Sequence, residues 1–150
     1  MSQLQRYTYP GIGVWAEENL SYTQAIRVGN TIICSGQGGW DPNQDIRQGI
    51  HLHEDLEKEI NQAFANCDLN LKNAGGKGWS QVYRVTTYST DVKSQSEIII
   101  ANLRKWMPEH KATWTQLGVK ELGLDTMHFE IDVEAYDEEG AEEARKAKAT

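Results

Sequence analysis

The apolar positions of this chain fall into runs of different period, and the change of period marks strands and helices. From Met127 to Tyr136 the alternation is strict. Met127, Phe129, Ile131, Val133 and Ala135 point one way, while His128, Glu130, Asp132, Glu134 and Tyr136 point the other. That is the repeat of a strand with one covered face. From Ile50 to Ala74 the step is three and four. Leu52, Leu56, Ile60, Ala63, Phe64, Cys67, Leu71 and Ala74 form one stripe, and Glu54, Asp55, Glu57, Lys58 and Glu59 take the opposite face. This predicts an amphipathic helix stopped by Gly75-Gly76. Val82–Ser89 is rich in β-branched and aromatic residues and reads as a strand. Ser94–Met107 reads as a second helix, with Ser94 and Glu97 at capping-box spacing and Pro108 closing it. Thr113–Val119 reads as a further strand.

Two more β-branched runs, Thr23–Val28 and Thr31–Cys34, flank Gly29-Asn30, a dipeptide suited to the positive φ angles of a two-residue hairpin turn. The second run ends in Ser35-Gly36-Gln37-Gly38-Gly39. Glycine has no side chain to bury and carries an entropic cost, so three in five residues serve close backbone approach. Such a loop is either a tight bulge or the rim of a small-molecule pocket. Trp40-Asp41-Pro42-Asn43 has turn chemistry. The opening segment Met1–Leu20 contains Pro10, Gly11 and Gly13 and reads as irregular. Its aromatics Tyr7, Tyr9 and Trp15 are expected to pack along the body or a neighbouring subunit. Glu138–Thr150 places acids first and bases last, which suits a helix dipole. It has almost no apolar face, so a frayed end is expected. The reading is therefore one domain over residues 1–136 and a charged tail over 137–150. The order β-β-α-β-α-β-β gives an α+β class, with two helices on one face of a mixed sheet.

Composition narrows the function. The 150 residues suit one domain with a real core. The net charge of −7, with scattered basic residues, argues against a nucleic-acid partner, which needs a basic stripe. No apolar run approaches the roughly 20 residues that cross a bilayer. The N-terminus lacks the layout of a secretion signal, so a cytoplasmic protein is expected. Cys34 and Cys67 fall on apolar faces and read as buried, reduced thiols. His51, His53, His110 and His128 lack metal-ligand spacing, so no metal is expected. SGQGGW lacks the lysine of a phosphate-binding loop.

Taken together, Tyr22-Thr23-Gln24-Ala25, the hairpin Val28–Ile32, Ser35-Gly36-Gln37, the helix ending Asn73-Ala74-Gly75, Val85-Thr86-Thr87-Tyr88 with Asp91, and Phe129-Glu130-Ile131-Asp132 resemble the Rid family. This is also called YjgF or L-PSP, a family of reactive-intermediate enamine/imine deaminases. The matches span Tyr22 to Tyr136. The resemblance implies a chorismate-mutase-like domain, a homotrimer with pockets at subunit boundaries, and no cofactor. It also implies a carboxylate-binding arginine on the strand before the closing one. That position falls at Trp114 if one extra residue near Leu124 is allowed, and Lys111–Val119 contains no arginine. An indole offers one N–H and an apolar face where a guanidinium offers a two-bond fork. A bulkier or less anionic substrate than a simple imino acid is therefore expected.

Each candidate residue has two readings. Glu130 is either the general acid–base group or one acid of a solvated strand face. Tyr22 either closes the pocket or packs on a strand. Ser35, with no neighbouring base, suits hydrogen bonding to ligand better than nucleophilic attack. Gly36 and Gln37 belong to the same rim. Trp40 is a candidate aromatic wall; Trp114 is either wall or core, and the resemblance favours the wall, with Thr115 beside it as a further substrate-binding candidate. The leading function is cofactor-independent deamination or hydrolysis of a reactive imine or enamine. The alternatives are a ligand-binding or regulatory protein without catalysis, a repurposed cyclase or isomerase, and, least favoured by the acidic balance, an endoribonuclease.

Overall fold

A computed structural model describes residues 4–149. The chain runs β1 (Gln5–Tyr7), α1 (Ile12–Leu20), β2 (Ala25–Val28), β3 (Thr31–Cys34), α2 (Leu56–Asn73), β4 (Val82–Ser89), α3 (Val92–Trp106), β5 (Thr113–Gly118), β6 (Phe129–Tyr136) and α4 (Glu138–Ala149). Short 3-10 turns precede α2 and β4. The strands form one six-stranded sheet in the order β1-β2-β3-β6-β4-β5. Only β4 and β5 pair in parallel, so the sheet is mixed, as expected.

The alternation in β6 explains its central place. Phe129, Ile131, Val133 and Ala135 are all buried, and Glu130, Asp132 and Glu134 are half-buried on the other side. The buried row meets Ile60, Ala63, Phe64, Cys67 and Leu71 of α2 and Ile99 of α3. Phe64 stacks between Trp79 and Phe129 with centroids 5.1 and 6.1 Å away. Both long helices thus cover one face. The opposite face carries the acids together with Val28, Ile33, Tyr83, Leu117 and Tyr136, all exposed in the chain.

Several sequence expectations change. The opening segment is not irregular: β1 pairs with β2, and α1 follows. Met1–Gln3, part of that expectation, lie outside the described residues. The first long helix begins at Leu56 rather than Ile50, because the Asp55 carboxylate caps it by accepting from the Lys58 N–H at 2.9 Å. Ile50 and Leu52 instead join a second apolar cluster with Ile12, Trp40 and Met127. The second long helix starts at Val92, and Ser94 donates to the Asp91 carbonyl at 3.3 Å, so the Ser94–Glu97 capping box does not form. In the hairpin turn only Gly29 has positive φ, at +58°, which matches a turn with glycine first.

The charged C-terminal segment, expected as a frayed end, is instead the helix α4 through Ala149, with Thr150 outside the described residues. Its anchor is buried. Arg27 of β2 donates to Asp137 Oδ2 at 2.9 Å, to the Asp137 carbonyl and to the Ala74 carbonyl. Asp137 Oδ1 accepts from Gln81 and from the Gly140 N–H. The last helix is therefore tied to the sheet and to the end of α2 by an ion pair that no apolar pattern reveals.

Candidate functional site

The site forms where β3 ends and β6 begins. Past Cys34 the chain stays pinned to the sheet. The Ser35 N–H donates to the Gln24 carbonyl at 2.8 Å, and Gln37 exchanges backbone hydrogen bonds with Ile131 at 2.7 and 3.0 Å. Gly36 lies between these two pins, and Glu130 lies against it. A Cβ on Gly36 would come 2.1 Å from Glu130 Oε1. Glycine leaves the carboxylate the space that a side chain would take, so any larger residue would displace Glu130.

Glu130 opens onto a cavity of about 420 Å³. One wall is α1, through Ile12, Trp15, Ala16 and Leu20. Tyr22, Ser35 and Gly36 form the hairpin side, and Trp40, Ile50, Leu124 and Met127 close the rest. Tyr22, Ser35, Gly36, Trp40 and Glu130, all singled out from the sequence, thus meet in one place. Among the described residues the Glu130 carboxylate has neither a hydrogen bond nor an ion pair. Burial, and then the nearby Asp132 carboxylate, push its pKa above the usual glutamate value. A carboxyl group whose burial favours its neutral form is suited to giving up and taking back a proton.

The surroundings are fixed by buried hydrogen bonds. Trp40 Nε1 donates to the Tyr9 hydroxyl at 3.1 Å, and Tyr9 donates to Gln37 Oε1 at 2.8 Å. Gln37 Nε2 donates in turn to Gln24 Oε1 and to the Ser35 carbonyl. Gln37 is fully buried, so it braces the rim from beneath and does not reach the cavity surface. Burial raises the Tyr9 pKa, keeping this phenol protonated as a donor. Asn66 donates to the Gly38 and Trp40 carbonyls at 2.8 Å. Buried Glu59 accepts the His128 N–H at 2.8 Å and holds its ring Nδ1 at 3.0 Å, which anchors the entry to β6. The Ser35 hydroxyl donates to the Thr23 carbonyl at 2.7 Å, so toward a ligand its oxygen is an acceptor.

The structure separates the other two candidates from this group. Trp114 pairs with Val85 and shares its helix-covered face. Its Nε1 donates to Thr87 Oγ1 at 2.9 Å, and its ring lines a different hollow, of about 250 Å³, beside Leu103, Met107 and His110. The expected place of Trp114 as a wall of the ligand pocket is therefore corrected: in this chain its ring packs against the core and does not line the Glu130 cavity. Thr115 lies on the opposite, uncovered face of edge strand β5, opposite Thr86, and does not line the cavity either.

Sequence reasoning missed the α1 wall and Tyr9. Ile12, Trp15, Ala16 and Leu20 have helical spacing, but Pro10, Gly11 and Gly13 obscured it. Nothing local signals the Tyr9–Gln37 contact, which spans 28 residues. Cys34 and Cys67 are buried and unbridged, and burial pushes the Cys34 thiol up to about 12, so it is not a nucleophile. Among the described residues no cluster of three histidine, cysteine or acidic side chains could hold a metal ion. No helix among them is long and apolar enough to cross a membrane.

Comparison with known proteins agrees with the fold. The solved structure of the protein YjgH is 27% identical, covers 92% of this chain and 99% of its own, and superposes with a TM-score of 0.77. Yeast Mmf1 is 21% identical over 90% of this chain and 99% of its own, with a TM-score of 0.74. RidA from the Antarctic bacterium Psychrobacter is 24% identical over 91% and 99%, with a TM-score of 0.70. No curated protein matches. The family model described as endoribonuclease L-PSP matches residues 16–137, from α1 to the start of α4. The chain belongs to this L-PSP family, the YjgF/RidA group.

Proposed function

We propose that this chain is a cofactor-independent enzyme that deaminates a reactive imine or enamine, working as a homotrimer with its pocket at a subunit boundary. The observation that carries the reading is the unpartnered Glu130 carboxylate, its pKa raised, over Gly36 at the edge of an apolar cavity. Its protonated form gives a proton to the enamine carbon, which yields the iminium. Its carboxylate form then takes a proton from the water that attacks the imine carbon. The carbinolamine collapses to a carbonyl compound and ammonia as Glu130 returns its proton to nitrogen and takes up the hydroxyl proton. The open sheet face, with five exposed apolar side chains, suits burial against further copies. Thr115 on edge strand β5 would then meet a neighbouring copy.

The test is ammonia release from an enzymatically generated imine. Glu130→Gln is expected to lower turnover by roughly 10²–10⁴-fold. No acceleration with any imine would remove the deaminase reading. The second reading, a ligand-binding protein without catalysis, is favoured by one observation. The Ser35 hydroxyl proton is committed to Thr23, so Ser35 supplies neither a proton nor an activated nucleophile to a bound ligand. Saturable binding without turnover would select it. Endoribonuclease activity, though part of the family description, is disfavoured by the net charge of −7 and by an acid as the cavity's charged side chain.

A further inference from the structure

We infer that the Glu130 cavity selects a cationic nitrogen head group on an aromatic or branched apolar body and rejects the carboxylate of the same shape; this rests on the cavity being the ligand site. The lining side chains are apolar except for Tyr22, Ser35 and Glu130. Among the described residues that line the space, Glu130 carries the one formal charge, and none is a lysine, arginine or histidine. An ionised Glu130 carboxylate can accept but not donate, and Ser35 is left as an acceptor because its proton goes to Thr23. Two acceptors at one end call for a ligand with two N–H donors, such as a protonated amine or an iminium.

The opposite charge meets no partner. A ligand carboxylate here would be desolvated beside Glu130, with Asp132 behind it, and would find no guanidinium or ammonium among the described residues of this chain that line the cavity. A cation instead supplies the counter-charge that Glu130 lacks. The indoles of Trp15 and Trp40 favour the same choice, since aromatic faces attract cations and cover flat apolar bodies. The volume of 420 Å³ equals roughly fourteen waters, room for a single-ring compound with a short arm.

The experiment is a titration of the full-length protein with phenethylamine, 2-phenylethanol and phenylacetate, read by calorimetry or tryptophan fluorescence. The amine is expected to bind at least about tenfold tighter than the anion, with the alcohol between them. In Glu130→Gln the amine should lose about tenfold while the alcohol stays within about twofold. Phenylacetate binding as tightly as the amine, none of the three binding at millimolar concentration, or an amine affinity unchanged in Glu130→Gln would each overturn the inference. The wild-type series decides by itself if that variant does not fold. Amine preference without imine turnover would keep this inference and remove the deaminase reading. Turnover of carboxylated imines with a preference for phenylacetate would do the reverse.

Discussion

Glu130 and Gly36 are a matched pair, and the match is steric before it is chemical. Gly36→Ala would drive a methyl group into the carboxylate at 2.1 Å. The expected result is a fall in imine turnover of about 10²-fold or more, with a urea midpoint close to wild type, because the displaced atom is the mobile end of a side chain. The raised pKa of Glu130 has a sign that can be checked. A glutamate whose folded value lies above its unfolded value binds protons more tightly when folded. Its contribution to stability therefore falls as pH rises above the ordinary glutamate range. Glu130→Gln should gain stability relative to wild type at pH 7, and the gain should vanish at low pH, where both states are protonated. Urea denaturation at two pH values measures this.

At the scale of elements, the sheet and its two long helices follow from periodicity, whereas α4 depends on one buried ion pair. Both Arg27 and Asp137 are almost fully shielded. Asp137→Ala would leave the guanidinium buried without its carboxylate, and a loss of about 3–5 kcal/mol is expected in chemical denaturation. Burial works to raise the Asp137 pKa, but the bonds from Arg27, Gln81 and the Gly140 N–H together lower it. The stabilisation is present above the ordinary aspartate range and is lost as pH falls through the lower folded value. Trp114 provides the contrast. Trp114→Ala should cost about 3 kcal/mol of stability, since the ring is half-buried under α3. It should leave amine binding in the Glu130 cavity unchanged. A lost binding signal with intact stability would place the indole at the ligand after all.

For the whole molecule, the uncovered sheet face is the decisive feature. Val28, Ile33, Tyr83, Leu117 and Tyr136 lie exposed around Tyr88 and the acids of β6. Burial, and then the hydrogen bond to Asp132, push the Tyr88 phenol up to about 12, which keeps it a donor. A face so rich in apolar side chains is costly to leave in water. Sedimentation of the full chain is expected to give three copies, and Ile33→Asp should shift it to monomer. A wild-type monomer would end the trimer proposal.

Much of this was legible along the chain because it depends on local spacing. The alternation through β6 placed Glu130 opposite Phe129 and Ile131, and the stripe through α2 named the residues that cover them. The glycines after β3 marked the rim. These are periodicities of backbone geometry, which neighbouring residues impose on one another. Long-range contact decided the remainder. It made a cavity wall of α1 and placed Tyr9 beneath Trp40. It joined Arg27 to Asp137 and sent Trp114 and Thr115 to opposite faces of one strand. A shift of one residue in strand register reverses every side chain, so the face that Trp114 occupies was set by pairing with β4, which no run of residues within β5 encodes.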